Sequence, residues 1–122
     1  MQYTRIYADQ DGDSHMETVE VELHASNYAP PSPTLLLSSF LPATQYGFLS
    51  APPGYPGGWH PTPVRQLAVV GSGVWEIETS DGDVRRLGPG SCVLAEDRTG
   101  KGHDSRQGDG APVDLNLVQL AD

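Results

Sequence analysis

The sequence predicts an all-β domain, and three observations carry that reading. No stretch of the chain repeats apolar side chains at i, i+3, i+4 and i+7, the spacing that marks one face of a helix. Short segments rich in β-branched and aromatic residues recur along the whole length instead. Clusters of Gly, Pro, Asp, Asn and Ser separate them, and these are the residues that turns require. A chain of 122 residues suits one domain, residues 1–122, around one core.

In chain order the predicted strands begin with TRIYA (4–8) and ETVEVELH (17–24), with the turn DGD at 11–13 between them. NYAPPSP (27–33) leads into TLLLSSFL (34–41) and TQYGFLSA (44–51). After a proline-rich connection come VRQLAVVG (64–71), GVWEIETS (73–80) and DVRRLG (83–88), then SCVLAE (91–96) behind the turn GPG. VDLNLVQL (113–120) closes the series after GDGAP. The SDGD turn at 80–83 is the strongest hairpin signal, because Asp-Gly tolerates the positive φ of a tight turn. Nine of the eleven prolines lie between residues 30 and 63, which fits exposed connections and edge strands better than a sheet interior. Short strands at this even spacing mean a β-sandwich or a barrel.

Composition narrows the function classes. Hydrophobic residues make up 37% and charged residues 19%, ordinary for a folded soluble protein. No apolar run approaches the roughly 20 residues that span a bilayer, and the N-terminal stretch lacks a signal-peptide core, so a cytoplasmic location is expected. The net charge of −9 argues against nucleic acid and anionic membranes as partners, since both select basic patches. DQDGD at 9–13 lacks the closing glutamate of a calcium loop and reads as a solvated acidic turn. His15 falls on that turn, with exposure expected. The single cysteine, Cys92, excludes an intrachain disulfide and reads as a small core residue.

Chemistry concentrates in GYPGGWHPTPVRQLAVVGSG, residues 54–73. His60, Thr62, Val64 and Gln66 are spaced to share one face of an extended chain, which alternates sides with a period of two. After Gly73, alternation puts Trp75 and Ile77 on one face and Glu76 and Glu78 on the other, so the apolar pair belongs inside. Tyr46 and Phe48 also share a face and are expected to close the opposite wall. A second histidine, His103, follows Glu96 and Asp97.

Two spaced sets now stand out: Gly54, His60, Thr62, Gln66 and Gly73, then Gly90, Gly100 and His103. They resemble the paired motifs of the cupin family, small jelly-roll (double-stranded β-helix) barrels. The resemblance covers residues 54–106, just under half the chain, and is similar to a group of short bacterial cupins. It implies a jelly-roll barrel and a homodimer, with residues 1–24 as the edge or exchanged element. Metal-binding members use three histidines and a glutamate. Here Thr62 stands for the second histidine and Gln66 for the carboxylate, which leaves His60, Gln66 and His103 as the only ligand set. Two neutral imidazoles and an amide should hold a divalent ion (Zn, Fe, Ni or Cu) weakly or not at all.

The expected site is therefore an apolar cavity with a few convergent polar groups, suited to a small molecule. His60 and His103 serve as acid and base, while Thr62, Gln66, Trp75, Tyr46, Phe48 and Asp97 contact the substrate. Three functions fit. One is an isomerase, cyclase or lyase acting on a small carbonyl-bearing metabolite with weak or no metal dependence. The second is a metal-dependent enzyme such as a dioxygenase, and the third is a non-catalytic binding module.

Overall fold

The computed structural model describes residues 1–122, and all of its regular structure is β. It contains eleven strands: β1 (Gln2–Ala8), β2 (Ser14–Glu20), β3 (His24–Ser26), β4 (Leu35–Leu37), β5 (Ala43–Ala51), β6 (Gln66–Ser72), β7 (Trp75–Thr79), β8 (Val84–Leu87), β9 (Cys92–Ala95), β10 (His103–Gln107) and β11 (Val113–Leu120). A six-stranded sheet runs in the order β2-β1-β9-β6-β11-β5, and a three-stranded sheet in the order β10-β7-β8. β3 and β4 form a separate two-stranded ribbon. This arrangement is compatible with a jelly roll, although hydrogen-bonded ladders do not join the sheets into a closed barrel. No helix is long and apolar enough to cross a membrane.

The core lies between the two larger sheets. Ile6, Val70, Val93, Val113 and Leu115 from the six strands meet Trp75 and Ile77 from the three, with Met16 and Ala51 at the margins. Each fully buried large side chain of this kind stabilises the fold by roughly 1.5–3 kcal/mol. The predicted alternation on β7 holds: Trp75, Ile77 and Thr79 are buried, and Glu76 and Glu78 point away from the core. The predicted hairpin holds as well. Trp75 pairs with Leu87 and Glu78 with Val84 across the Ser80–Asp83 turn, where Asp81 Oδ1 accepts hydrogen bonds from Thr79 Oγ1 (2.7 Å) and the Asp83 amide (3.1 Å).

Several boundaries differ from expectation for identifiable reasons. β2 begins at Ser14 rather than 17, because antiparallel pairing with β1 brings Ser14 opposite Ala8 straight after the acidic turn. It ends at Glu20 because its partner runs out at Gln2. Of residues 34–41 only Leu35–Leu37 find a strand partner, in β3. β10 carries no strand signal in its sequence, HDSRQ, since every residue is polar. It forms because β7 offers a ladder, from His103 opposite Thr79 to Gln107 opposite Trp75. Cys92 is half-buried on the outer face, not in the core, and burial pushes its thiol up.

His15 also sits differently from its expected place on an exposed turn. It lies on β2, half-buried, with its ring stacked on Tyr7 at 5.3 Å. Its Nε2 is 2.6 Å from Asp9 Oδ2 and its Nδ1 3.0 Å from Asp81 Oδ2, so it clamps the Asp9–Asp13 turn to the Ser80–Asp83 turn. Lys101 bridges the same corner through Asp13 Oδ1 at 2.7 Å. The Asp9 hydrogen bond raises the His15 pKa above 6.5 and holds Asp9 below the usual carboxylate range. Because the folded pKa of His15 is the higher one, its stabilisation is complete below about pH 6.5 and fades as pH rises through the folded value. A His15→Gln variant should therefore show its largest stability deficit near pH 6 and approach the wild type in mildly alkaline buffer. Urea unfolding across this range checks the slope, and a deficit independent of pH would mean that the clamp does not depend on charge.

Candidate functional site

The cavity between the sheets encloses about 130 Å³. Its polar lining comes from His60, Thr62, Gln66, His103 and Ser105, and its apolar wall includes Ile6, Trp75, Ile77, Val93 and Leu115. Two larger depressions lie elsewhere, one beside Trp59 and Lys101 and one on the outer face of the six-stranded sheet. Neither includes a histidine in its lining.

Backbone pairing brings the two histidines together. His60 and His103 form an isolated antiparallel bridge, with amide-to-carbonyl distances of 3.1 Å and 3.0 Å. Their ring centroids are 5.1 Å apart. The loop before His60 is fastened over β10: the Gly58 amide donates to Asp104 Oδ1 at 2.6 Å and the Gly54 amide to Gln107 Oε1 at 2.7 Å. Pro61 and Pro63 have no amide hydrogen to offer a ladder, so regular strand begins only at Gln66. Of the predicted face His60, Thr62, Val64 and Gln66, all but Val64 line the cavity, and a bent connection presents them.

Asp97 acts behind His103 rather than on the cavity surface. Residues 95–97 alternate: Ala95 lines the cavity, Glu96 points outward and Asp97 turns back in with no solvent exposure. Glu96 accepts hydrogen bonds from Arg5 Nε and Arg65 Nε, each at 2.5 Å. Burial pushes the Glu96 carboxyl up, but these two guanidinium contacts outweigh it and hold the group below its ordinary range. Asp97 Oδ2 lies 2.6 Å from Nδ1 of the buried His103. Its other oxygen, Oδ1, is buried without a partner, and its backbone carbonyl accepts the Thr62 amide at 3.0 Å.

These contacts assign atoms to roles. A carboxylate facing His103 Nδ1 places the proton there and leaves Nε2 as the free lone pair. His60 Nδ1 lies 2.9 Å from the Pro61 carbonyl, which can only accept, so Nδ1 carries a hydrogen and Nε2 is again the available atom. Gln66 lines the cavity; its backbone pairs with Ala95 and Gln119, and its side-chain amide makes no hydrogen bond to a neighbouring strand. Thr62 donates its hydroxyl to the Val64 carbonyl at 2.9 Å, so towards a ligand it can only accept.

Three expectations need correction. Tyr46 and Phe48 are 62% and 78% exposed and lie outside the cavity. They point to the outer face of β5, where Leu49 takes the inward place, and Tyr46 Oη donates to Asn116 Oδ1 at 2.7 Å. The aromatic partner of Trp75 in the cavity lining is instead Tyr55, stacked on it with centroids 6.1 Å apart. Asp97 is fully buried outside the cavity lining, with its carboxylate against His103 rather than on the cavity surface. Sequence reasoning missed Tyr55 and Ser105. The available signal for Ser105 was its place two residues beyond His103, on the same side of an extended chain.

The ligand set of His60, Gln66 and His103 does share the cavity, yet it contains no anionic donor. No group of three His, Cys, Asp or Glu side chains is placed to hold an ion. Tightly held divalent ions generally require three strong protein ligands, and this donor set does not fit one. No profile of a known protein family matches the chain, and no curated protein matches its sequence.

Proposed function

We propose that the protein is a cupin-like acid–base enzyme acting on a small, uncharged, carbonyl-bearing metabolite, of the isomerase, cyclase or lyase type. The observation that carries this reading is the Asp97–His103–His60 array at a cavity whose remaining lining is mostly apolar. His103, held in one tautomer by Asp97, takes a proton from carbon next to the carbonyl through Nε2. Protonated His60 donates to the carbonyl oxygen, and the Gln66 amide hydrogen-bonds the developing enol. Returning the proton at a neighbouring atom gives an isomer, and loss of a β-substituent gives a lyase product. The lining contains no Arg or Lys to hold a carboxylate, which favours neutral substrates.

The reading can be tested without knowing the product. Small hydroxy-ketones and hydroxy-aldehydes are incubated with the protein in D₂O, and loss of the α-proton signal is followed by proton NMR. Enzyme-dependent exchange is expected with at least one compound, and His103→Ala should slow it by about 10²–10⁴-fold. Elemental analysis of untagged protein and of His60→Ala runs beside it. Stoichiometric metal that disappears in the variant would favour the metal-dependent reading. Saturable binding with no exchange would favour a binding module.

A further inference from the structure

β5 is the longest strand of the fold, at nine residues, and it lies at a sheet edge. It ends the six-stranded sheet, and its only strand partner is β11. Its sequence, ATQYGFLSA, carries no charge and no proline across nine residues, and its one edge-blunting feature is an irregularity at Thr44, where Gln45 pairs with Gln119 but Ala43 with Leu120; from Gln45 to Ala51 the strand pairs regularly. The opposite edge, β2, is protected: it carries Glu17 and Glu20, and like edges of that kind repel. The residues around β5 are unusually apolar for a surface. Tyr46 and Phe48 pack edge to face with centroids 5.2 Å apart, and Phe40 and Leu41 just before the strand are mostly exposed. These four side chains expose on the order of 500 Å². A standard interface buries about 800 Å² per partner, and the backbone row of a nine-residue edge supplies much of the remainder.

We propose that two copies of this chain pair antiparallel through β5, continuing the six-stranded sheet across a two-fold axis. The strand is self-complementary about its midpoint. With Gly47 on the axis the regular stretch Gln45–Leu49 pairs with its own copy, and Tyr46 stands opposite the partner's Phe48 and Phe48 opposite the partner's Tyr46. Directly opposed aromatic side chains of this kind are the stabilising unit of an antiparallel pair. A two-fold contact is closed, so the edge is consumed once and does not propagate. The neutral strand also lets two chains of charge −9 meet without opposing their acids. This interface differs from the N-terminal one that the cupin resemblance implies. It bears on the cavity too, because Leu49 belongs to both.

Gly47 offers a direct test. A side chain there meets nothing within 4 Å in the single chain, so Gly47→Lys and Gly47→Glu should each fold. In the dimer each would face its own copy across the axis. Sedimentation of the full chain over a concentration series should give a wild-type dimer and weaken it by at least about a hundredfold in either variant, the scale of juxtaposed like charges. Mixing the two variants should restore a dimer containing one of each. A wild type that stays monomeric overturns the proposal, as does a dimer that survives both substitutions. If either variant fails to fold by circular dichroism, hydrogen exchange on the wild type decides. The β5 amides that do not bond β11 should gain protection with concentration, and unchanged exchange in a dimer overturns the proposal.

Discussion

Replacing Asp97 by Asn is expected to leave the fold intact and disable His103. The carboxylate is fully buried, and its one side-chain hydrogen bond is to His103 Nδ1. An Asn can present its amide NH₂ to that nitrogen, which then becomes an acceptor and moves the ring proton to Nε2. The atom facing substrate changes from base to donor. The same change of tautomer behind a catalytic histidine lowers kcat by about 10⁴ in the Ser-His-Asp triad, and a loss of about 10²–10⁴ is expected here. Nitrogen-15 NMR of the imidazole reads the tautomer directly, before any substrate is known. An unchanged His103 tautomer in Asp97→Asn would remove the positioning role. Asp97→Ala should behave differently. It leaves a buried Nδ1–H without an acceptor, and stability should fall by about 1–3 kcal/mol in urea unfolding.

The second large effect is expected at Gly102. Its φ is +72°, a region where a side chain meets its own backbone, at a cost of about 1–2 kcal/mol. A Cβ there would also run into the backbone of His60 and Pro61. The neighbouring contacts leave no room to move: His103 is bridged to His60, and the Gly102 carbonyl accepts the Ser14 hydroxyl at 2.6 Å. Gly102→Ala should therefore cost about 3 kcal/mol or more and separate the two histidines. The loss should appear as a lower urea midpoint, together with changed NMR shifts for His60 and His103. Stability within about 0.5 kcal/mol of wild type would mean that this turn is free to rearrange.

Legibility in the sequence followed the source of each signal. Strands with one buried face were readable because a period of two is written into the chain, as in Trp75-Glu76-Ile77-Glu78. β10 was not readable, since its five polar residues are ordered by the neighbouring strand rather than by their own pattern. His60, Thr62, Gln66 and His103 were found from spacing and do converge. Tyr46 and Phe48 were correctly placed on one face, but periodicity cannot say which of two faces a strand turns to the core. Here both neighbours, Gly47 and Leu49, take the inner side, and the aromatic pair is left outside.

By itself, then, the sequence determined the all-β class, the SDGD hairpin, the burial of Trp75 and Ile77, and the candidate histidines. All of these depend on local alternation and turn chemistry within a few residues. Only the tertiary structure decided that Asp97 backs His103, that Tyr55 rather than Tyr46 faces Trp75, and that β5 is left as the open edge. Those facts depend on which strands become neighbours. That choice is made by burying apolar faces of distant segments together, and no local pattern encodes it.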